Sequence, residues 1–317
     1  MKLSGKIAVV AGATRGAGRG IACALGEEGA TVYCTGRSIR GTPASGNYPE
    51  TIEETAEMVT ARGGKGIAVQ VDHTVEEQVK VLLERIAAEQ GRLDILVNDV
   101  WGGDALTEFG KAFWHVSLDK GRLMLERAIY SHIVTSHFAA PLLMKSERGL
   151  IVEITDGDSY TYRGNVFYDL VKCSVIRLAY TMSRELRRTQ VTVVALTPGF
   201  LRPERMLEHF GVSEANWREG AKQSPEFIES ETPFFVGRAV AALAADPDVS
   251  KKSGRVFSSW GLAPEYGFTD VDGRVPDIGA YFRDNLHLSM KTCDDGFYDY
   301  WKGGPVDALY PDWPEIE

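Results

Sequence analysis

Seven short apolar runs, at residues 7–11, 31–35, 66–71, 93–98, 150–155, 191–196 and 255–259, recur along the chain with helical periodicity between them. This alternation constrains the fold more than any other feature. Strands separated by helices cannot pair through tight hairpins, so they run parallel, and the connecting helices cover both faces of the sheet. The expectation is an α/β protein with a doubly wound parallel sheet. No internal repeat, low-complexity tract or Pro/Gly/Ser-rich linker divides this core, so residues 1–261 are expected to form one domain, with residues 262–317 as a C-terminal extension.

The first run ends in Ala11-Gly12-Ala13-Thr14-Arg15-Gly16-Ala17-Gly18 and leads into a helical pattern in which Ile21, Ala22 and Leu25 face inward. Strand, glycine turn and helix in that order can hold a dinucleotide, so a Rossmann-type sheet is expected. Gly12 allows the tight turn, Gly16 lets the backbone approach a pyrophosphate, and Gly18 allows close packing of helix on strand. Half way along the chain, Tyr168 and Lys172 stand one helical turn apart and project from the same face. An ammonium beside a phenol favours tyrosinate, so the spacing predicts a phenol pKa lowered toward the working range.

Together these motifs resemble the short-chain dehydrogenase/reductase family over roughly residues 4 to 260. The glycines match its T-G-x-x-x-G-x-G pattern, with Ala11 in place of the opening Thr. Asn98-Asp99-Val100-Trp101 stands where the family has N-N-A-G, Tyr168 and Lys172 match Y-x-x-x-K in full, and Pro198-Gly199 matches the P-G after the sixth strand. The resemblance implies that Tyr168 protonates a carbonyl oxygen as hydride arrives, and that Lys172 also holds the nicotinamide ribose. It implies a cofactor site built from Gly12, Thr14, Arg15, Gly16, Ala17 and Gly18, then Arg37 and Ser38, Asp72 and His73, Asn98, Lys172, Pro198 and Gly199. Asp72 resembles the family's adenine-contacting acid, although an acid at a strand end also caps turns.

Gly36 lies where an NAD-preferring enzyme carries an acid, and Arg37 follows it directly. Glycine removes the repulsion of a 2′-phosphate, while Arg37, joined by Arg15, supplies charge-assisted hydrogen bonds. NADP(H) is the expected cofactor.

Other positions depart from the family pattern. Where it has I-S-S, this chain reads Ile154-Thr155-Asp156-Gly157, and Asp156 takes the serine position if the following loop is one residue short. Glu126 falls near the family's helix Asn, and Pro203 replaces a Thr after Pro198-Gly199. A buried carboxylate repels a forming alkoxide and stabilises an iminium. Cyclic imines are therefore expected to be reduced as well as or better than ketones. Other readings stay open: Asp156 points away while Thr155 or Ser159 supplies the hydroxyl, and Glu126 pairs with Arg127 or Arg122 on a surface. The extended connections at residues 38–49 and 101–121 leave the ligand-binding edge of the sheet. Trp101, Trp114, Tyr160, Tyr162, Phe200 and Trp217 are expected at the pocket mouth, which suits a bulky apolar or aromatic substrate, with core packing as the rival role for each. The leading reading is an NADPH-dependent reductase; its rival is a cofactor-binding sensor with a weakened site, against which the intact Tyr168 and Lys172 argue.

Composition narrows the partners. A formal charge of -9 with no long basic run argues against nucleic acid. No apolar stretch reaches bilayer length and the N-terminus does not read as a signal peptide, which gives a cytoplasmic expectation without a membrane partner. Cys23, Cys34, Cys173 and Cys293 have no C-x-x-C spacing and read as reduced thiols, and the 6 histidines have no metal-ligand spacing, so no metal is expected. The extension carries Tyr281, Phe282, Phe297, Tyr298, Tyr300, Trp301, Tyr310 and Trp313, which are expected to pack on the same subunit or on a neighbour in a homodimer or homotetramer.

Overall fold

The computed structural model describes residues 1–44, 48–159 and 162–286. Its regular elements are β1 (Ile7–Ala11), α1 (Gly16–Glu27), β2 (Thr31–Gly36), α2 (Ile52–Ala61), β3 (Lys65–Gln70), α3 (Glu76–Gln90) and β4 (Ile95–Asn98). There follow α4 (Leu118–Leu125), a π turn (Glu126–Tyr130), α5 (Ser131–Leu143), β5 (Gly149–Ile154), α6 (Val166–Glu185), β6 (Val191–Thr197) and α7 (Glu204–Phe210). The last are α8 (Pro233–Ala245), β7 (Val256–Ser258), α9 (Ser259–Tyr266) and α10 (Ile278–Leu286).

All seven strands join one parallel sheet in the order β3-β2-β1-β4-β5-β6-β7. Strand order reverses between β1 and β4, which opens a crevice at their carboxyl ends. β1, β5 and β6 are buried along their whole length because helices cover both faces. One apolar layer packs Ile21 and Leu25 of α1 with Val236 and Val240 of α8; the other packs Val79 and Ile86 of α3 with Leu143 of α5 and Ile176 of α6. α1 and α8 approach so closely that a Cβ on Gly20 would lie 2.1 Å from the Pro233 carbonyl oxygen.

Two caps fix the helices that matter here. Thr51 accepts the Glu54 N–H at 3.2 Å and starts α2. Asn165 accepts the N–H groups of Phe167 and Tyr168 at 3.0 and 3.1 Å, while its amide donates to the Glu108 carbonyl at 3.0 Å. That cap sets Tyr168 in the first turn of α6 and ties the helix to the long connection after β4.

Residues 259–286 fold back on the same core. Asp270 accepts the Thr232 N–H at 2.8 Å and the Thr232 hydroxyl, and Arg274 donates to the Ile228 and Ser230 carbonyls at 3.2 and 3.0 Å. Leu262, Ala263 and Ile278 are buried. Phe297, Tyr298, Tyr300, Trp301, Tyr310, Trp313, Tyr160 and Cys293 lie outside the described residues.

Candidate active site

The carboxyl ends of β1 and β4 carry the glycine turn and Asn98-Asp99. Gly12 has φ +94, and a Cβ there would lie 2.5 Å from the Asp99 carbonyl oxygen. On Gly18 it would lie 2.3 Å from the Gly12 carbonyl and 2.9 Å from Asp99 Oδ2. Any side chain would push these backbones apart. α1 begins with no side-chain cap from Arg15 and no acid in its first turn; the Gly18 N–H meets Asp99, which leaves the Gly16 and Ala17 N–H groups at the helix start to meet an anion. The Arg15 guanidinium stands over the Tyr48 ring at 4.8 Å and 3.2 Å from Glu50, yet among the described residues its buried Nε and Nη2 have no hydrogen-bond partner. A tight cradle, an uncapped helix start and unsatisfied guanidinium atoms fit a dinucleotide.

Toward β2, a Cβ on Gly36 would lie 2.6 Å from Thr14 Oγ1, so no carboxylate fits there without displacing Thr14. Arg37 faces Asp72 at 3.6 Å. Asp72 also caps its own turn, accepting the Thr74 N–H at 3.0 Å and hydroxyl at 2.7 Å. Ser38 is buried and accepts the Ala44 N–H at 3.2 Å. The His73 side chain, expected at the cofactor, belongs instead to the core. It is 2% exposed, lies 2.8 Å from both Thr35 Oγ1 and Thr135 Oγ1, and burial lowers its pKa to about 4, which keeps it neutral.

Asn98 donates to Ser136 Oγ at 2.9 Å and to Glu153 Oε1 at 2.7 Å. The other oxygen of Glu153 meets His132 at 2.7 Å, and the far nitrogen of that ring lies 3.1 Å from the Val100 carbonyl. This buried network anchors the segment after β4. The signal for it in the sequence is an acid, Glu153, inside an otherwise apolar strand.

Around α6, the Tyr168 hydroxyl donates to Asp156 Oδ2 at 2.7 Å. Burial, followed by the Asp156 charge, raises the phenol pKa far above its ordinary value, opposite to the lowering that Lys172 suggests in the sequence. Burial lowers Lys172, whose surroundings include the charges of Asp156, Asp99 and Asp104. Its ammonium sits 4.2 Å over the Trp101 ring, and Trp101 and Phe109 meet the Tyr168 ring edge-on at 5.3 and 5.5 Å. Trp101 donates to Asp104 at 2.6 Å, and Asp104 accepts from Arg205 of α7 at 2.7 Å, so contacts run from the β4 loop to the segment after β6. Asp99 and Asp104 escaped the sequence reading because nothing local marks either as facing Lys172.

The other expected residues divide. The Thr155 hydroxyl donates to the Lys172 carbonyl at 2.7 Å and so braces α6 from behind. Ser159 is buried, with its carbonyl accepting from Arg163 at 2.6 Å; Arg163 also reaches the Asp156 carbonyl at 2.6 Å and Asp169 at 3.1 Å. Glu126 acts on its neighbour Arg127. The Gly199 N–H donates to Glu231 Oε2 at 2.9 Å, beside Ser259 at 2.6 Å. Burial pushes Glu231 up to about 8. Pro203 lies close to the glycine turn, 3.8 Å from where a Gly16 Cβ would be. Trp114 and Tyr162 are exposed. Phe200 and Trp217, expected at the mouth, pack instead with Phe210 and Phe227, and Arg202 stacks on Trp217 at 4.3 Å.

A family profile described as short chain dehydrogenase matches residues 6–210. The chain belongs to the short-chain dehydrogenase family. It is similar to dehydrogenase/reductase SDR family member 1 of Mus musculus, 36% identical over 293 residues covering 91% of this chain and 90% of that one. The Homo sapiens protein of that name is 37% identical over 276 residues, covering 86% and 85%. Among solved structures, a mutant short-chain dehydrogenase/reductase from Serratia marcescens matches with a TM-score of 0.65 and 25% identity, covering 81% of this chain and 97% of that one. As a short-chain dehydrogenase the protein is an oxidoreductase, and the family uses nicotinamide cofactors, NAD or NADP, on small-molecule substrates. Among the described residues, no helix is long and apolar enough to cross a membrane and no group of three or more side chains could hold a metal ion.

Proposed function

We propose that this short-chain dehydrogenase is an NADPH-dependent reductase of bulky substrates, with C=N compounds such as cyclic imines accepted as well as or better than ketones. The observation that carries the reading is the 2.7 Å contact between Tyr168 and Asp156. A carboxylate at the phenol oxygen stabilises positive charge at an adjacent reacting atom and opposes a forming alkoxide.

When bound, the nicotinamide ring supplies the hydride. Gly12, Gly16, Ala17 and Gly18 would hold the pyrophosphate against the start of α1, and Arg15 and Arg37 would hold a 2′-phosphate. Asn98 and the Pro198-Gly199 segment would frame the nicotinamide end beside Lys172. Tyr168, kept neutral by burial and by Asp156, retains its proton over the working pH range and can deliver it to an oxygen. An iminium arrives already protonated, so Asp156 need only face its charge. Trp101 and Phe109, on the Tyr168 ring, supply apolar walls suited to a large substrate.

The test is NADPH and NADH oxidation by the purified protein against a panel of cyclic imines and bulky ketones. NADPH-linked turnover of imines at or above the ketone rates supports the reading. Turnover of ketones alone replaces it with an ordinary ketoreductase, and binding of cofactor without turnover of either class favours a sensor.

A further inference from the structure

We infer that Arg127 is a second guanidinium, beside Arg37, that reads the 2′-phosphate of the dinucleotide; this rests on the NADPH preference proposed above. Arg127 belongs to the π turn Glu126–Tyr130 between α4 and α5. Such turns insert a residue into a helix and re-aim its neighbours, commonly at functional sites. Here the turn sends Arg127 to the segment after β4, where Nη1 donates to the Gly102 carbonyl at 2.9 Å.

The contact places two like charges at one spot. A Cβ on Gly102 would lie 3.3 Å from Arg127 Cδ, 3.9 Å from Arg127 Nη1 and 3.8 Å from Arg37 Nη2. Arg37 comes from the end of β2, Asp72 from the end of β3 and Gly102 from beyond β4, so the side chains converge on the adenosine side of the crevice. Burial and then the Arg37 charge hold Arg127 below its ordinary range. The carboxylates acting on Arg127 are Asp72 and the adjacent Glu126. Asp72 is shared with Arg37, and its other oxygen is occupied by Thr74.

Two guanidiniums that share a carboxylate repel each other until an anion lies between them. A phosphate dianion converts that repulsion into charge-assisted hydrogen bonds, and a planar guanidinium suits its oxygens. Ribose hydroxyls in the same place would leave the repulsion as it is in the free protein, so the pair adds affinity for NADPH and none for NADH.

The protein and the variants Arg127→Gln and Arg127→Lys are titrated calorimetrically with 2′,5′-ADP, 5′-ADP, NADPH and NADH, with a thermal melt of each. The expected result for Arg127→Gln is a loss of roughly tenfold or more for 2′,5′-ADP and NADPH, the size of a charge-assisted bond, with 5′-ADP and NADH changed less than about twofold. Arg127→Lys should recover part of the loss. Equal losses for ligands with and without the 2′-phosphate would overturn the inference in favour of an adenine contact or a folding role, and unchanged affinities would remove Arg127 from the site. If Arg37→Ala loses NADPH while Arg127→Gln does not, this inference fails and the NADPH reading stands. Wild-type protein that binds NADH as tightly as NADPH overturns both.

Discussion

Tyr168 donates its hydroxyl hydrogen to Asp156 at 2.7 Å, which pairs a buried phenol with an acidic partner. On the proposed function, the same carboxylate acts with opposite sign on the two kinds of acceptor. Asp156→Ser removes the charge and restores a hydroxyl. Imine reduction should fall and ketone reduction should rise, shifting the ratio of the two kcat/KM values while NADPH affinity stays nearly constant. The ratio is the informative quantity because general damage to the fold cancels in it. Parallel losses in both activities would give Asp156 a structural role only.

Tyr168→Phe removes the proposed proton donor while preserving the ring that packs on Trp101 and Phe109. Ketone turnover should drop by about 10² to 10⁴, the usual worth of a general acid. A pre-protonated imine should lose much less, since its hydride transfer requires no proton at that moment. Single-turnover rates at saturating NADPH check this, and wild-type ketone rates in the variant would assign proton delivery to another group.

Arg37→Ala should weaken NADPH by roughly 1.5 to 3 kcal/mol and leave NADH nearly unchanged. Fluorescence titration with both cofactors measures it. Equal weakening would mean that Arg37 supports the fold or the adenine ring, with no selective role at the phosphate.

The fold was readable because each strand is a short apolar run bounded by a helical period, and because glycine is the only residue that fits where the Gly12 and Gly18 backbones meet Asp99. Tyr168 and Lys172 were readable because helical spacing alone puts them on one face. What stayed hidden depends on contacts between distant segments. His73 follows Asp72 and looks like part of the same ligand-binding strand end, but Thr35 and Thr135 draw its ring into the core. The direction of the phenol shift depends on burial and on where the Asp156 side chain turns, neither of which spacing encodes. Trp217 reads as a loop aromatic until Arg202, Phe210 and Phe227 close around it.

Asp99 offers a test of the site's electrostatics that needs no substrate. It lies beside the Gly18 Cα at the start of α1, and burial pushes its carboxyl up to about 7, with Lys172, His132 and the Gly18 N–H opposing the shift. An unfolded Asp titrates near about 3.9. Between those values the native state holds a proton that the unfolded state has released, so stability falls as pH rises from about 4 to 7 and is then level with respect to this group. Asp99→Asn keeps an oxygen for the Gly18 N–H and removes the titration. Relative to wild type, the variant should gain thermal stability as pH rises through that window, and its advantage should be larger at pH 8 than at pH 5. Comparison of the two proteins at each pH cancels groups they share, including Glu231 and His73. A difference in Tm that is constant across the range would show that Asp99 is already ionised in the native protein at pH 5, and that burial of its carboxylate is offset by Lys172.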